Sequence, residues 1–328
     1  MKTLSFRTEI QDIEYPITIN HSHTLMLIGS CFVENISEKL ALHKFRISTN
    51  PFGILFNPAS IAQCINDLIY KDAFTEQELF YYNETWNSFK HHSQFSNPDK
   101  EKCLAHINAT LQAHKSYIKN THFLLITLGS SIAYRQLTNG EIVANCHKLP
   151  AAHFQKIFLS ADESTQALQD SIANLKSINP SVHIIFTLSP VRYIKDNFME
   201  NSLSKAHLRI AIDKLCHSFS NVYYFPAYEI MLDDLRDYRF YDTDKIHPSD
   251  IAIDYIWQFF ENSWMNAETK DVNVCLNDIH NAYMHRPNNL HSEAHIKFKE
   301  TQLAKINDLM KKSPYLDFTK EINYFSTK

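Results

Sequence analysis

Four short apolar runs, Leu25 to Ile28, Phe123 to Leu128, Val182 to Leu188 and Val222 to Phe225, stand between long stretches in which apolar residues recur at helical spacing. Strands this short and this continuously apolar are buried on both faces, and helical connections between them predict an α/β fold with a mainly parallel sheet covered by helices. After the first run, Phe32, Val33, Ile36 and Leu40 keep the helical spacing. Gly29-Ser30-Cys31 is therefore expected at a strand-to-helix turn, with the positive end of a helix dipole directed at it. Ile251 to Trp264 reads as a further amphipathic helix introduced by Pro248, Ser249 and Asp250, which leaves His247 just ahead of a helix start.

Glycine usage sharpens this. The chain of 328 residues has only four, where average usage would give about 23. Two of them, Gly29 and Gly129, close the runs LMLIG and FLLITLG, where a glycine permits a sharp turn or a close approach of backbone. Gly53 lies in NPFGI, and Asn139-Gly140 reads as a turn between YRQL and EIVA.

Residues 1–266 are expected to form the main domain, with a polar helical insertion at about 57–116 of the kind that covers a site. Trp86, His91 and His92 in that insertion are lid candidates. Residues 267–328 are charged, lack glycine and strand candidates, and read as a helical C-terminal appendage. With 32 basic and 36 acidic side chains the net charge is −4, which argues against a nucleic-acid partner. No apolar run approaches the roughly 20 residues of a membrane span, and MKTLSFRTEIQDIEYP offers neither an apolar signal core nor a cleavage site. Six cysteines (31, 64, 103, 146, 216, 275) without CxxC pairing read as reduced thiols. A cytoplasmic location is expected.

Open α/β sheets bind ligands beyond the carboxyl ends of their strands. The residues there are Gly29-Ser30-Cys31, Gly129-Ser130-Ser131, Ser189-Pro190-Val191-Arg192 and the late Asp244-Lys245-Ile246-His247. Those contents suit acyl transfer: a nucleophile on a strand-to-helix turn, a histidine to take its proton, and a carboxylate to fix the imidazole tautomer. Asp and His three apart before a helix start can face one turn together, and the helix end favours the neutral imidazole that a general base needs.

The blocks IGSCFVENI, NPFGILFNP, TLGSSIAYR, NGEIVANCHKLP, FTLSPVR, YFPAYEIMLDDLRDYRFY, DKIHPS and HRP, in this order from about Met26 to the C-terminal region, resemble the GSCFA family of bacterial proteins, a branch of the SGNH (GDSL-like) hydrolase superfamily. The resemblance implies a flavodoxin-like three-layer α/β/α fold and an ester- or thioester-cleaving hydrolase or acyltransferase. It needs no cofactor and takes a small-molecule substrate, an acyl or carbohydrate ester. Asp244 and His247 fall on the superfamily's terminal DxxH. Its Gly-Asp-Ser falls on Gly29, Ser30 and Cys31, so a thiol stands where serine is usual; Cys31, with its pKa lowered by the helix end, or the adjacent Ser30 is the implied nucleophile. Gly53 and Gly129 with Ser131 correspond to the oxyanion-hole blocks, serine replacing asparagine, with Asn145 as a substitute donor. Arg192 and His147 are further substrate-binding candidates.

Two other readings stay open. One is a non-catalytic ligand-binding protein that keeps fold and pocket. The other is a metal-assisted phosphoester hydrolase built on Asp242, Asp244 and His247. No HExxH or Cys/His zinc spacing accompanies that cluster, and His291 with His295, one helical turn apart, reads as solvated surface.

Overall fold

A computed structural model describes residues 8–195, 197–289 and 292–326. The chain divides into two compact units. The larger gathers Leu25–Ser37 and Ile47–Ile256 around a five-stranded sheet. Its strands are β1 (Thr24–Gly29), β2 (Arg46–Thr49), β3 (Phe123–Leu128), β4 (His183–Leu188) and β5 (Val222–Phe225), in the order β5-β4-β3-β1-β2. The β1–β3, β3–β4 and β4–β5 pairs are all parallel, with Ile28 beside Ile126 and Gly29 beside Thr127. Chain order thus reverses between β1 and β3, which opens a crevice at their carboxyl ends.

Side chains on a strand alternate between faces, and here both sets are buried. Met26, Ile28, Leu124, Ile126, Ile184 and Phe186 join one core with helices α2 (Pro58–Tyr70), α3 (Lys100–Lys119), α4 (Ala161–Ile178) and α5 (Phe198–Ser218). Leu25, Leu27, Leu125 and Ile185 point the other way and are also buried, so the sheet is the middle of an α/β/α sandwich. Two helices begin at its carboxyl side, α1 (Phe32–Leu42) directly after β1 and α6 (Asp250–Trp264) shortly after His247.

The structure narrows the expected insertion. Ile61, Ile65 and Leu68 of α2 and Cys103, Ile107 and Leu111 of α3 belong to the main core, so these two helices are part of the layer that covers the sheet. Only the stretch between them, with a short hairpin pairing Phe80–Tyr82 with Thr85–Asn87, is an excursion. A second small sheet is antiparallel: Ile132–Gln136 pairs with Ile142–Val143 through the Asn139-Gly140 turn and with Phe154–Phe158 on its other edge.

The smaller unit takes Trp257–Lys328 together with Asp12–Thr24 and Glu38–Arg46. It contains α7 (Ala267–Met284), α8 (Glu293–Lys312) and α9 (Thr319–Ser326), packed through Leu276, Ile279, Ile306, Leu309, Phe318 and Phe325. Asn266 and Ser292 cap α7 and α8 by accepting the N–H groups of Thr269 and His295. His295 is buried, and His291 lies outside the described residues. Among the described residues no helix is long and apolar enough to cross a membrane.

Gly29 sits where no side chain fits: its φ is +150°, and an added Cβ would lie 2.3 Å from the Thr127 carbonyl oxygen. Gly29→Ala is expected to destabilise the protein by about 3 kcal/mol or more, because the clash is with backbone of the neighbouring central strand. Gly140 also has a left-handed φ, +75°, but nothing lies within 4 Å of the position a Cβ would take; Gly140→Ala should cost about 1 kcal/mol, the local conformational penalty alone. Comparing the two by denaturant unfolding checks the assignment of the cost to packing.

Candidate active site

The turn after β1 is clamped from three sides. The Gly29 N–H donates to Asn50 Oδ1 (2.9 Å), the Leu55 N–H to the Gly29 carbonyl (2.9 Å), and the Ser30 N–H to the Thr127 carbonyl (3.2 Å). Held this way, the chain turns directly into α1 and leaves Cys31 half-buried beside the start of the helix.

His247 arrives from 216 residues further along, its Nε2 standing 3.7 Å from Cys31 Sγ. The other ring nitrogen, Nδ1, is 2.6 Å from Asp244 Oδ2, and Asp244 Oδ1 accepts the N–H groups of Ile246 (2.8 Å) and His247 (3.0 Å). These bonds, led by the one to His247, hold the Asp244 carboxyl down to about 2. An ionised carboxylate only accepts, so the Nδ1 proton points to Asp244 and the Nε2 lone pair faces the thiol. Both side chains are nearly half exposed, so the pair is reachable from solvent.

The loop that carries them is itself held. Asp242 N–H donates to the His247 carbonyl (2.8 Å), Lys245 N–H to that of Asp242 (3.0 Å), and Lys245 adopts a left-handed φ of +60°. Arg192 straps it: Nη2 donates to the Lys245 carbonyl (2.8 Å), and the guanidinium lies 4.5 Å over the Tyr241 ring. Asp242 turns to accept the Thr243 N–H, and among the described residues no group of three or more His, Cys, Asp or Glu side chains converges as a metal site.

A pocket of about 440 Å³ opens beside the turn, lined by Ser30 and Cys31 together with apolar groups such as Phe56, Ile132, Val143 and Phe154. Ser30 borders it but is buried, and its Oγ has no hydrogen-bond partner among the described residues. The imidazole is therefore engaged with Cys31. The thiol is not pre-ionised. Burial, followed by the Glu34 carboxylate one turn along α1, raises its pKa, while the N–H groups of Phe32 and Cys31 and the Lys205 ammonium pull weakly the other way. The lowering expected from the helix end is thus overridden by desolvation.

Of the three residues expected to hold an oxyanion, two are not part of the pocket lining and the third has its N–H taken. Gly53 does not line the pocket; its N–H donates to the Asn50 carbonyl (2.7 Å) to close a turn. Gly129 lines the pocket, yet its N–H is taken by the Phe56 carbonyl (2.9 Å). Ser131, whose hydroxyl would replace the asparagine amide, is fully buried and is not part of the lining; its N–H donates to Ser204 Oγ (2.7 Å), and its Oγ meets no partner among the described residues. A donor that the sequence reading passed over is Asn57, which lines the pocket. Its Oδ1 caps α2 by accepting the Ser60 N–H (2.8 Å). That fixes the amide with its NH2 free to donate. Asn145, also in the lining, is held alike, its Oδ1 accepting the His147 N–H (2.8 Å).

His147 is turned away from the pocket, with Nε2 bonded to the Ser88 carbonyl (2.8 Å) and the ring edge-on to Phe80. Of the lid candidates, His92 lines the pocket. His91 is buried among Phe52, Phe74 and Phe95, and burial brings its pKa down to about 3. Trp86 packs on the core beneath the Lys100 ammonium. Lys205 of α5 is a second residue unread in the sequence. It is fully buried, and Nζ donates to the carbonyls of Gly129 (2.8 Å) and Ser189 (2.7 Å), the residues that directly follow β3 and β4. Desolvation brings it down to about 7, and proximity to Cys31 opposes the fall.

Residues 24–260 match the model of the GSCFA family, and residues 276–328 that of the GSCFA domain protein, C-terminal domain. No curated protein matches the sequence. Among solved structures, the chain is similar to a family 3 carbohydrate esterase from Clostridium thermocellum, with 13% identity over 77% of this chain and 98% of that one and a TM-score of 0.32. It is also similar to a catalytic mutant of Axe2, an acetylxylan esterase from Geobacillus stearothermophilus, with 11% identity over 76% and 100% and a TM-score of 0.39. A family two carbohydrate esterase from Clostridium thermocellum in complex with cellohexaose gives 11% identity over 79% and 66% with a TM-score of 0.35.

Because Glu34 is one of the groups holding the thiol up, Glu34→Gln should lower the Cys31 pKa and leave more thiolate at a given pH. Alkylation of Cys31 by iodoacetamide at pH 8, read by peptide mass spectrometry, is expected to run several-fold faster in Glu34→Gln than in wild type. Equal rates would mean that the carboxylate does not reach the thiol.

Proposed function

The chain belongs to the GSCFA family, and we propose that it cleaves ester or thioester bonds, with Cys31 as nucleophile, His247 as general base and acid, and Asp244 as the group that orients His247. The observation that carries this reading is the continuous line from Asp244 Oδ2 through the imidazole to Cys31 Sγ, 2.6 Å at one end and 3.7 Å at the other. A thiol whose pKa is raised by burial has to lose its proton as it attacks, and an imidazole lone pair at that distance is placed to take it.

In this reading His247 Nε2 accepts the thiol proton while Sγ bonds to the acyl carbon. The carbonyl electron pair moves onto oxygen, where the Cys31 N–H and the Asn57 amide NH2 receive it. The bond to the leaving group then breaks, and the proton on His247 passes to the departing alkoxide or thiolate. The resulting acyl-thioester is resolved when His247 takes a proton from water, or from a second nucleophile, that attacks the same carbon. The Cys31 thiolate leaves and recovers its proton from His247. Lys205 acts at one remove, holding the ends of β3 and β4 that wall the pocket.

Incubation with 4-nitrophenyl acetate followed by mass spectrometry tests the nucleophile. An acyl adduct on Cys31 is expected in wild type and in Ser30→Ala, and neither adduct nor turnover in Cys31→Ala or His247→Ala. Undiminished acylation and turnover in Cys31→Ala would sink the assignment. Asn57→Ser keeps an oxygen to cap α2 but removes the amide donor; kcat is expected to fall about 100-fold or more, the usual consequence of losing one oxyanion donor, with the melting temperature close to that of wild type.

A further inference from the structure

We propose that the ester or thioester this pocket accepts carries a terminal anion, a carboxylate or a phosphate, received by Lys148 and Lys195. The inference rests on Cys31 being the acyl-group nucleophile and adds the class of substrate. Its first support is the charge of the lining. Among the described residues no aspartate or glutamate borders the pocket, whereas Lys148, Lys195 and His92 do. Both lysines are exposed, and neither is paired with a carboxylate of a described residue. Nearby lysines are treated differently: Lys90 pairs with Asp67 (3.4 Å) and Lys156 with Glu200 (2.7 Å). An unbalanced pair of cations at an apolar cleft produces a field that concentrates anionic ligands.

The second support is the backbone that presents Lys148. His147 and Lys148 are consecutive non-glycine residues in the left-handed region, with φ of 48° and 60°, a conformation that persists only where surrounding bonds impose it. Here three do: Asn145 Oδ1 accepts the His147 N–H, His147 Nε2 bonds the Ser88 carbonyl, and the Leu149 N–H donates to the Cys146 carbonyl (3.0 Å). The turn is thus built to bring Lys148 to the pocket. Lys195 reaches the same pocket on a different loop, the one after β4. Apolar side chains such as Phe56, Ile132, Val143, Leu149 and Phe154 share the lining with these cations and Cys31, which suits a short hydrocarbon spacer between the reacting carbonyl and the anion.

The test compares 4-nitrophenyl butyrate with mono-4-nitrophenyl glutarate on wild type, Lys148→Ala/Lys195→Ala and Lys148→Arg/Lys195→Arg. Wild type is expected to favour the anionic ester by tenfold or more in kcat/KM, mainly through KM and less so in high salt. The preference should vanish in the alanine double variant and persist in the arginine one. Equal use of both esters by wild type, or a preference that survives the alanine changes, overturns the proposal. A binding arm separates this from the catalytic reading: glutarate or propyl phosphate should raise the melting temperature of Cys31→Ala but not of Cys31→Ala carrying both alanine changes. If no ester is cleaved and that shift is seen, the anion site stands while the catalytic reading falls; if neither anion shifts the melting temperature, the anion site falls. The larger of the two shifts identifies carboxylate or phosphate as the group recognised.

Discussion

The contact on which the site depends is the approach of two backbones at the carboxyl ends of β1 and β3. Gly29 lies so close to the Thr127 carbonyl that a methyl group would not fit, and this closeness lets the Ser30 N–H reach the same oxygen. A wider gap would let the chain leave the sheet gradually, and the first residue of the turn would trail past the crevice. With the gap closed, the chain is helical from Phe32 onward, and Cys31 is delivered to the mouth of the pocket. Asn50 secures the same point from the β2 side by accepting the Gly29 N–H through its side chain.

Proton chemistry is shared unequally among the groups gathered there. Burial makes the thiol a weaker acid and the Lys205 ammonium a stronger one, because desolvation disfavours the charged form of each. Asp244, nearly half exposed, keeps its charge because three hydrogen bonds favour the carboxylate. A thiol that is neutral at rest is protected from adventitious oxidation and alkylation, and reactivity then depends on a base that is held in place. Arg192 contributes to that hold through the Lys245 carbonyl. A neutral amine at Lys205 still has two N–H groups for its two carbonyls, so its bracing of the β3 and β4 ends does not require the charge.

Much of the architecture was legible because it rests on local patterns. The four apolar runs became four strands within a residue of the expected limits, and the helix after Asp250 begins where Pro248, Ser249 and Asp250 indicate. The fifth strand, Arg46–Thr49, was not legible, since an edge strand of four residues with only Ser48 buried has no apolar signature. Gly53, Gly129 and Ser131 lie in or close to the expected turns, but whether they face the pocket is not a local property: the N–H groups of Gly53 and Gly129 find carbonyls within the fold, and Ser131 is buried outside the lining. Asn57 escaped notice because Asn-Pro before a helix reads as a cap, which it is, and nothing local reveals that the unused half of the amide borders a pocket. Lys205 had a faint signal: it occupies the stripe of α5 shared with Leu208, Ile212 and Leu215, where a cation is out of place unless it has acceptors.

The sequence by itself determined the α/β layering and the strand-to-helix turn at Gly29-Ser30-Cys31, which follow from periodicity and glycine placement, and a three-residue spacing allowed Asp244 and His247 to face one turn, the pair that the family resemblance implies. Only the tertiary structure decided that Cys31 and not Ser30 meets the imidazole, that the thiol is raised and not lowered, and that Lys148 and Lys195 share one pocket with it. Those outcomes depend on burial and on distances between segments far apart in the chain, and desolvation and Coulomb energies are properties of that arrangement, with no counterpart in the order of residues.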